Sequence, residues 1–309
     1  MPEPRLDPAE AAYYTAQSPF SDPGDLARLY DALPADPARL ARVARDLVIH
    51  RMEGPLYGYD IPADRLAHDA ETRYTDDTLR LIVSRDPAPL TEPRAPADRF
   101  VGICRDIALL HCSMLRHTGT PARVRSGFAR YFSTDGFHDD HMVTEYWAPG
   151  RGWLLADAEL ADPLVTDRFG IAFDPLDIPR DRFLVAGRAW QALRTGEADP
   201  ARFGLRLPDG ALTGSWFVAG NVRLDIAALN RTKTLLWDIW GEGADSEAEM
   251  TDTLRTLYDR AAPLSSDTVP FDAVRTLFRT EDGLRTPATV LSLAPFDGPS
   301  RVTLRTAQR

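Results

Sequence analysis

The sequence predicts an α+β protein in which one helix packs against an antiparallel sheet. A strong helical pattern covers residues 103–118, and the apolar spacing changes to two over residues 122–160. Further helical patterns lie on both sides of this segment. We therefore predict a single domain over residues 1–309, with a core at 99–162, a mainly helical region at 1–98 and another at 163–309 that packs on the core.

The N-terminal region is predicted to be helical because two of its segments begin with Asp-Pro, an N-cap followed by proline at the first helical position. These segments are DPGDLARLYDAL (22–33) and DPARLARVARDLVIHRM (36–52). TRYTDDTLRLIVSRD (72–86) fits a helix or a strand. Four prolines within residues 87–98 predict an extended loop before the core.

The core is predicted to contain one helix followed by three strands. Gly119 and Pro121 are expected to end the helix. The strand predictions rest on alternating apolar residues, with a tight turn at 148–151; they are ARVRSGFARYF (122–132), HMVTEYW (141–147) and GWLLADAEL (152–160). Helices are predicted in the C-terminal region at 179–196, 221–241 and 247–262, the second ending at Gly241.

The amino-acid composition disfavours two classes of binding partner. The net charge of −10 and the pI near 5.1 disfavour general binding to nucleic acid or anionic membranes. The N-terminus has no apolar signal segment, and no apolar run reaches 18 residues, so we expect a cytoplasmic protein with no membrane span. Only Lys233 among the 36 basic residues is a lysine, which indicates the coding bias of a GC-rich bacterial genome.

The two cysteines are predicted to differ in chemistry. Cys104 lies at or near the helix start, where free N–H groups and the helix dipole favour a thiolate and can hold an oxyanion. Cys112 is two helical turns further on and is expected to be core. The alternative for Cys104 is an inert buried cysteine, because its position alone is weak support.

A base and an orienting group for Cys104 are predicted in the hairpin. A turn near residue 149 would place His141 opposite about residue 157, so His141 and Asp157 would share one face of the sheet. A carboxylate beside an imidazole fixes its tautomer and stabilises the imidazolium. Taken singly, His141 could be a surface histidine and Asp157 a turn or cap residue.

Five short motifs in this order resemble the core of the transglutaminase-like superfamily. They are Gly102 with Cys104, Gly119–Arg123, His141, Gly152 with Trp153, and Asp157. The resemblance covers about residues 100–160 and implies a papain-like fold with a Cys-His-Asp triad. It also implies an aromatic residue after the histidine, where Met142 stands here, and a Trp or Gln before the cysteine, which residues 80–101 lack. A side-chain oxyanion donor would have to come from elsewhere.

The residues and the resemblance together predict a thiol-dependent acyl-transfer enzyme that acts on an amide carbonyl through an acyl-thioester, most simply a peptidase or amidase. Its partner would be a peptide, a protein or a small amide or thioester, and no cofactor is expected. Two alternatives stay open. One is an acyltransferase that forms an amide bond, and the other is a binding module that keeps the fold without catalysis.

Five further residues are candidates for lining the cleft or supporting the triad: Arg105, Asp106, Asp140, Glu145 and Trp153. For most of them a simpler role is expected, namely a solvated first helical turn for Arg105 and Asp106, and a structural role for Glu145 and Trp153. Trp153 could pack against the His141 ring. Asp139 and Asp140 beside the His-Asp pair suggest a metal site, but adjacent aspartates in a loop are commonly only solvated, so no metal is predicted.

Overall fold

The computed structural model describes residues 3–207, 209–241 and 243–306. Helices and strands are mixed along them, as the α+β prediction requires. The α-helices are α1 (Pro8–Thr15), α2 (Pro37–Leu47), α3 (Ala63–His68), α4 (Thr75–Arg85), α5 (Cys104–His117), α6 (Pro163–Phe169), α7 (Ala186–Thr195), α8 (Ser215–Leu229), α9 (Asp252–Ala261) and α10 (Phe271–Thr280). The strands are β1 (Val48–His50), β2 (Phe100–Gly102), β3 (Ala122–Ala129), β4 (His138–Ala148), β5 (Gly152–Ala156), β6 (Phe183–Val185), β7 (Phe203–Leu207), β8 (Gly210–Thr213), β9 (Asp238–Ile239), β10 (Thr289–Ala294) and β11 (Gly298–Thr303).

A six-stranded sheet forms the centre of the fold. Its order is β6-β3-β4-β7-β8, and β5 pairs with β4 as the second strand of a hairpin. β3, β4 and β5 are antiparallel neighbours, as their alternating sequences predict. Helix α5 packs on β3 and β4, and its apolar residues join those of α2 and β4 in one buried cluster.

The N-terminal region contains the helices α1 to α4. Asp36 caps α2 by accepting the backbone N–H of Arg39 at 2.8 Å, with Pro37 at the first helical position. The first Asp-Pro segment forms a 3₁₀-helix (Gly24–Tyr30) instead of an α-helix, and its first residue, Gly24, has a left-handed φ of +56°. Residues 72–86, which fitted either structure, contain helix α4.

The C-terminal region contains the strands β6 to β11, which the sequence did not reveal. The helix predicted at 221–241 is wrong in both limits: α8 begins at Ser215 and ends at Leu229. Arg231 has a left-handed φ of +60°, which turns the chain away from the helix axis. Residues 234–237 then lead into β9, which pairs with β10.

The division into the regions 1–98, 99–162 and 163–309 within one domain stays a prediction. Residues 1, 2, 208, 242 and 307–309 of these regions lie outside the described residues. Across the described part of the chain, no helix has both the length and the apolar character that crossing a membrane needs.

Candidate active site

Cys104 is the first residue of helix α5. The extended backbone of Ile103 leads into the helix, and its N–H donates to Asp106 Oδ2 at 2.9 Å. Gly102 is required here because a Cβ at this position would come within 2.9 Å of Asp106 Oδ2. The Gly-x-Cys motif therefore delivers the cysteine to the helix N-terminus, where unpaired N–H groups favour negative charge. Cys104 is 7% exposed, whereas Cys112 is enclosed in the middle of the helix.

His141 and Asp157 form a buried pair. His141 Nε2 donates to Asp157 Oδ2 over 2.8 Å. The predicted register is wrong by two residues, because Thr144 pairs with Ala156 and Ala148 with Gly152. The last strand also stops at Ala156, and Asp157 instead caps the following 3₁₀-helix, Ala158–Ala161, by accepting the N–H of Glu159 at 3.0 Å.

Two aromatic residues that the sequence did not single out hold this pair. The Tyr131 hydroxyl donates to Asp157 Oδ2 at 2.7 Å. The Phe132 ring meets the His141 ring edge-on, with 5.0 Å between centroids. Both residues had been predicted as the end of a strand, but β3 stops at Ala129, so the chain bends and brings them back over the imidazole. In the sequence, the aromatic character of Tyr131 and Phe132 was the feature that could have identified them.

The Cys104 thiol and the His141 imidazole are near enough for each to shift the pKa of the other. Since Nε2 is bound to Asp157, Nδ1 is the ring nitrogen left for the sulfur. Burial alone would lower the pKa of His141, but the Asp157 carboxylate holds it well above its usual value. Burial raises the pKa of the Cys104 thiol above its usual value, and the contact with His141 offsets only part of that rise. The pair thus favours a protonated imidazole beside the sulfur.

Arg105 and Asp106 are buried, so the prediction of a solvated first turn is wrong for both. The Arg105 guanidinium donates to Asp106 Oδ1 at 2.9 Å and to the carbonyl oxygens of Arg73 and Lys233, each at 2.5 Å. Charged side chains are tolerated there because each is paired. Their contacts fix the start of α5 to two other chain segments.

Glu145 and Trp153 lie in a separate polar network. Glu145 accepts hydrogen bonds at 2.7 to 2.9 Å from three guanidinium groups, those of Arg123, Arg125 and Arg180. These three charges hold the pKa of the buried Glu145 carboxyl far below its usual range against the effect of burial. The Trp153 ring lies under the Arg123 guanidinium at 4.0 Å and against Tyr14, not against His141 as we had considered.

Several buried polar groups surround the Cys-His pair. Asp140 Oδ1 has no hydrogen-bond partner among the described residues, and burial raises the pKa of this carboxyl to about 6. The same holds for Glu159, whose Oε2 is unpartnered in the described structure and whose pKa burial raises to about 8. Asn221 and Lys233 also present unpartnered atoms there. Sequence reasoning missed Glu159, Asn221 and Lys233 because they come from segments without a recognisable motif.

His141, Asp157 and Glu159 place potential metal ligand atoms within 4.8 Å of one another. Two of these residues are joined by the 2.8 Å hydrogen bond, so a metal ion would have to displace it. The donor set therefore suits a hydrogen-bonded His-Asp pair better than a metal centre.

Comparison with known proteins bears on the same part of the chain. Residues 71–158 match the family model described as the transglutaminase-like superfamily. No curated protein matches the sequence. Among solved structures, a candidate cysteine protease from Cytophaga hutchinsonii is 17% identical, with a TM-score of 0.33 over 52% of this chain and 45% of its own. The red sea bream transglutaminase is 14% identical, with a TM-score of 0.30 over 86% of this chain and 42% of its own. This chain spans less than half the length of either structure.

Proposed function

We propose that this protein is a thiol-dependent acyl-transfer enzyme that hydrolyses an amide carbonyl, and the match of residues 71–158 to the transglutaminase-like superfamily supports this. One observation carries the proposal. Cys104 lies at a helix N-terminus, near enough to His141 for each to shift the pKa of the other, and His141 is hydrogen-bonded to Asp157 at 2.8 Å. Covalent catalysis requires a nucleophile, a base and an orienting group in this order, so the arrangement supports the proposal.

In the first half of the reaction the Cys104 sulfur, as thiolate, attacks the substrate carbonyl carbon. A C–S bond forms, and the carbonyl electron pair moves to oxygen, where free N–H groups at the start of α5 face the negative charge. The tetrahedral species collapses when His141 gives its Nδ1 proton to the amide nitrogen. The C–N bond breaks, the amine leaves, and an acyl-thioester on Cys104 remains.

In the second half an acceptor releases the acyl group. His141, now neutral, takes a proton from the acceptor as it attacks the thioester carbonyl, and Cys104 leaves as thiolate. Asp157 keeps the imidazole in the tautomer that each step needs. We take water as the acceptor because it needs no binding site of its own, whereas an amine acceptor would.

Alkylation of the intact protein tests this assignment. With iodoacetamide near pH 7, Cys104 should react at least about tenfold faster than Cys112, because only a thiolate is a strong nucleophile. His141→Ala should remove most of that difference. His68→Ala is the matched control, because His68 is solvent-exposed and is expected to leave the rate unchanged. Peptide mass mapping identifies the labelled cysteine.

Equal, slow alkylation of both cysteines, insensitive to His141→Ala, would show that the site is not activated and would favour a binding module. The acceptor is found by acylating Cys104 with p-nitrophenyl acetate and following its release in water with and without glycine methyl ester. A release rate independent of the amine supports hydrolysis. Formation of the N-acetyl amide would replace the hydrolase by an acyltransferase.

A further inference from the structure

Lys233 is a buried cation whose ammonium group has no hydrogen-bond partner among the described residues. The residue is 3% exposed. All the other 35 basic residues of the chain are arginines. Burying an ammonium group without a partner costs free energy. Such a group is therefore normally paired with an anion, deprotonated, or hydrogen-bonded to a ligand. Its charge interacts with that of Cys104, the candidate nucleophile, and its burial there calls for a functional explanation.

The charged groups around Lys233 leave its ammonium hydrogens uncommitted. Asp225 already binds Arg125 and the backbone N–H of Ser126, at 2.8 to 3.3 Å. Asp140 is near enough for charge interaction, yet its Oδ1 is also unpartnered in the described structure. Cys104 is the other acidic group whose charge interacts with Lys233, and this interaction opposes the lowering of the lysine pKa, to about 7, by burial and by Arg105.

The backbone holds Lys233 against the cysteine helix. After α8, the left-handed conformation of Arg231 reverses the chain, and Thr232 N–H returns to the Ala227 carbonyl at 2.9 Å. The Lys233 carbonyl then accepts from the guanidinium of Arg105, which follows Cys104 directly in the sequence. The strained turn at Arg231 and the hydrogen bond from Arg105 thus fix the position of Lys233 relative to the Cys104 sulfur.

We propose that the Lys233 ammonium is the side-chain donor that stabilises the carbonyl oxygen of the substrate when the Cys104 sulfur adds to it. This inference rests on the proposed acyl-transfer function and adds a residue to it. As the C–S bond forms, negative charge passes from sulfur to the carbonyl oxygen. An Nζ–H of Lys233 donates to that oxygen without losing its proton, and the donation ends when the carbonyl reforms and the amine leaves.

Two reactions of the same sulfur separate this role from a structural one. Acylation by p-nitrophenyl acetate forms a tetrahedral oxyanion, whereas alkylation by iodoacetamide forms none. Lys233→Met keeps the length and removes the charge. It should slow acylation by about 10²-fold or more, the usual effect of losing one oxyanion donor, while alkylation of Cys104 falls less than about tenfold. Lys233→Gln, which keeps an N–H donor, should lie between, and it carries the same comparison if the methionine variant does not fold.

Arg51→Met is the matched control. Arg51 is another cation whose charge interacts with Cys104, but its guanidinium packs over the Trp237 ring. It should change both rates by less than about threefold. Equal losses in acylation and alkylation for Lys233→Met, no loss in either, or a selective loss for Arg51→Met would each overturn the assignment. Wild-type protein that shows neither a p-nitrophenol burst nor selective alkylation of Cys104 would instead remove the proposed function itself.

Discussion

Replacing Glu159 by glutamine should make the stability of the protein less dependent on pH. The Glu159 carboxyl is buried behind His141 and Asp157, and its Oε2 is unpartnered among the described residues. Burial, together with the nearby charge of Glu53, raises its pKa from 4.5 to about 8. The native protein therefore keeps this proton through neutral pH, whereas the unfolded chain loses it near pH 4.5.

The sign follows from the protons bound by each state. Between pH 4.5 and 8 the unfolded chain binds fewer protons at this position, so the free energy of unfolding falls as the pH rises. A pKa raised from 4.5 to about 8 corresponds to at most about 5 kcal/mol at 1.36 kcal/mol per pKa unit. Glutamine has nearly the same shape as the protonated acid and cannot ionise, so Glu159→Gln lacks this loss.

Urea unfolding of wild type and Glu159→Gln at pH 5, 6, 7 and 8 measures the effect. The variant should gain about 2 kcal/mol or more on wild type between pH 5 and pH 8, within the bound set by linkage. Glu197→Gln is the control, because this side chain is more than half exposed and should give a difference that does not change with pH. A Glu159→Gln difference that is equally flat would refute the buried, protonated carboxyl.

Three other variants examine the groups around the imidazole and the polar network. Asp157→Asn removes the charge that raises the pKa of His141, so the alkaline limb of the pH–rate profile should move to lower pH and kcat/KM should fall by at least about 10²-fold; an unmoved limb would contradict this. Tyr131→Phe removes a donor to the Asp157 carboxylate and should cost about 1.5 to 3 kcal/mol in urea unfolding. Glu145→Gln removes the anion that three guanidinium groups share, although Arg125 keeps its contact with Asp225, so unfolding should become easier by about 3 to 5 kcal/mol. A change below about 1 kcal/mol would contradict that network.

The parts of the fold that the sequence predicts are those with strong local signals. Helix α5 shows an apolar stripe and ends near Gly119, and the β4–β5 hairpin shows alternation around a glycine turn at Gly150. These signals are local, so they need no knowledge of packing. The start of α5 at Cys104 was predictable for the same reason.

The parts that the sequence does not reveal depend on contacts between distant segments. Nothing between Asn230 and Gly241 marks the end of α8, because the turn there is made by Arg231 in a conformation usually taken by glycine or asparagine. Arg105 had the pattern of a surface residue, yet it is buried because the carbonyl of Lys233, 128 residues away, accepts its charge-assisted hydrogen bond. Whether such a charged side chain is buried depends on partners that are distant in the sequence, so no periodic pattern in the sequence indicates it.

The His141–Asp157 contact shows why a partly wrong prediction could still bring the right residues together. The hairpin register differs from the predicted one by two residues, and side chains along a strand alternate with a period of two. A slip of two therefore keeps each residue on its face, whereas a slip of one would have sent His141 to the opposite side. After β5 ends, the backbone of Asp157 leaves the strand and caps the following 3₁₀-helix. In this position its carboxylate lies 2.8 Å from His141 Nε2, in spite of the shift in register. The strand therefore determines on which face of the sheet His141 lies, and the helix cap determines the distance between Asp157 and the imidazole.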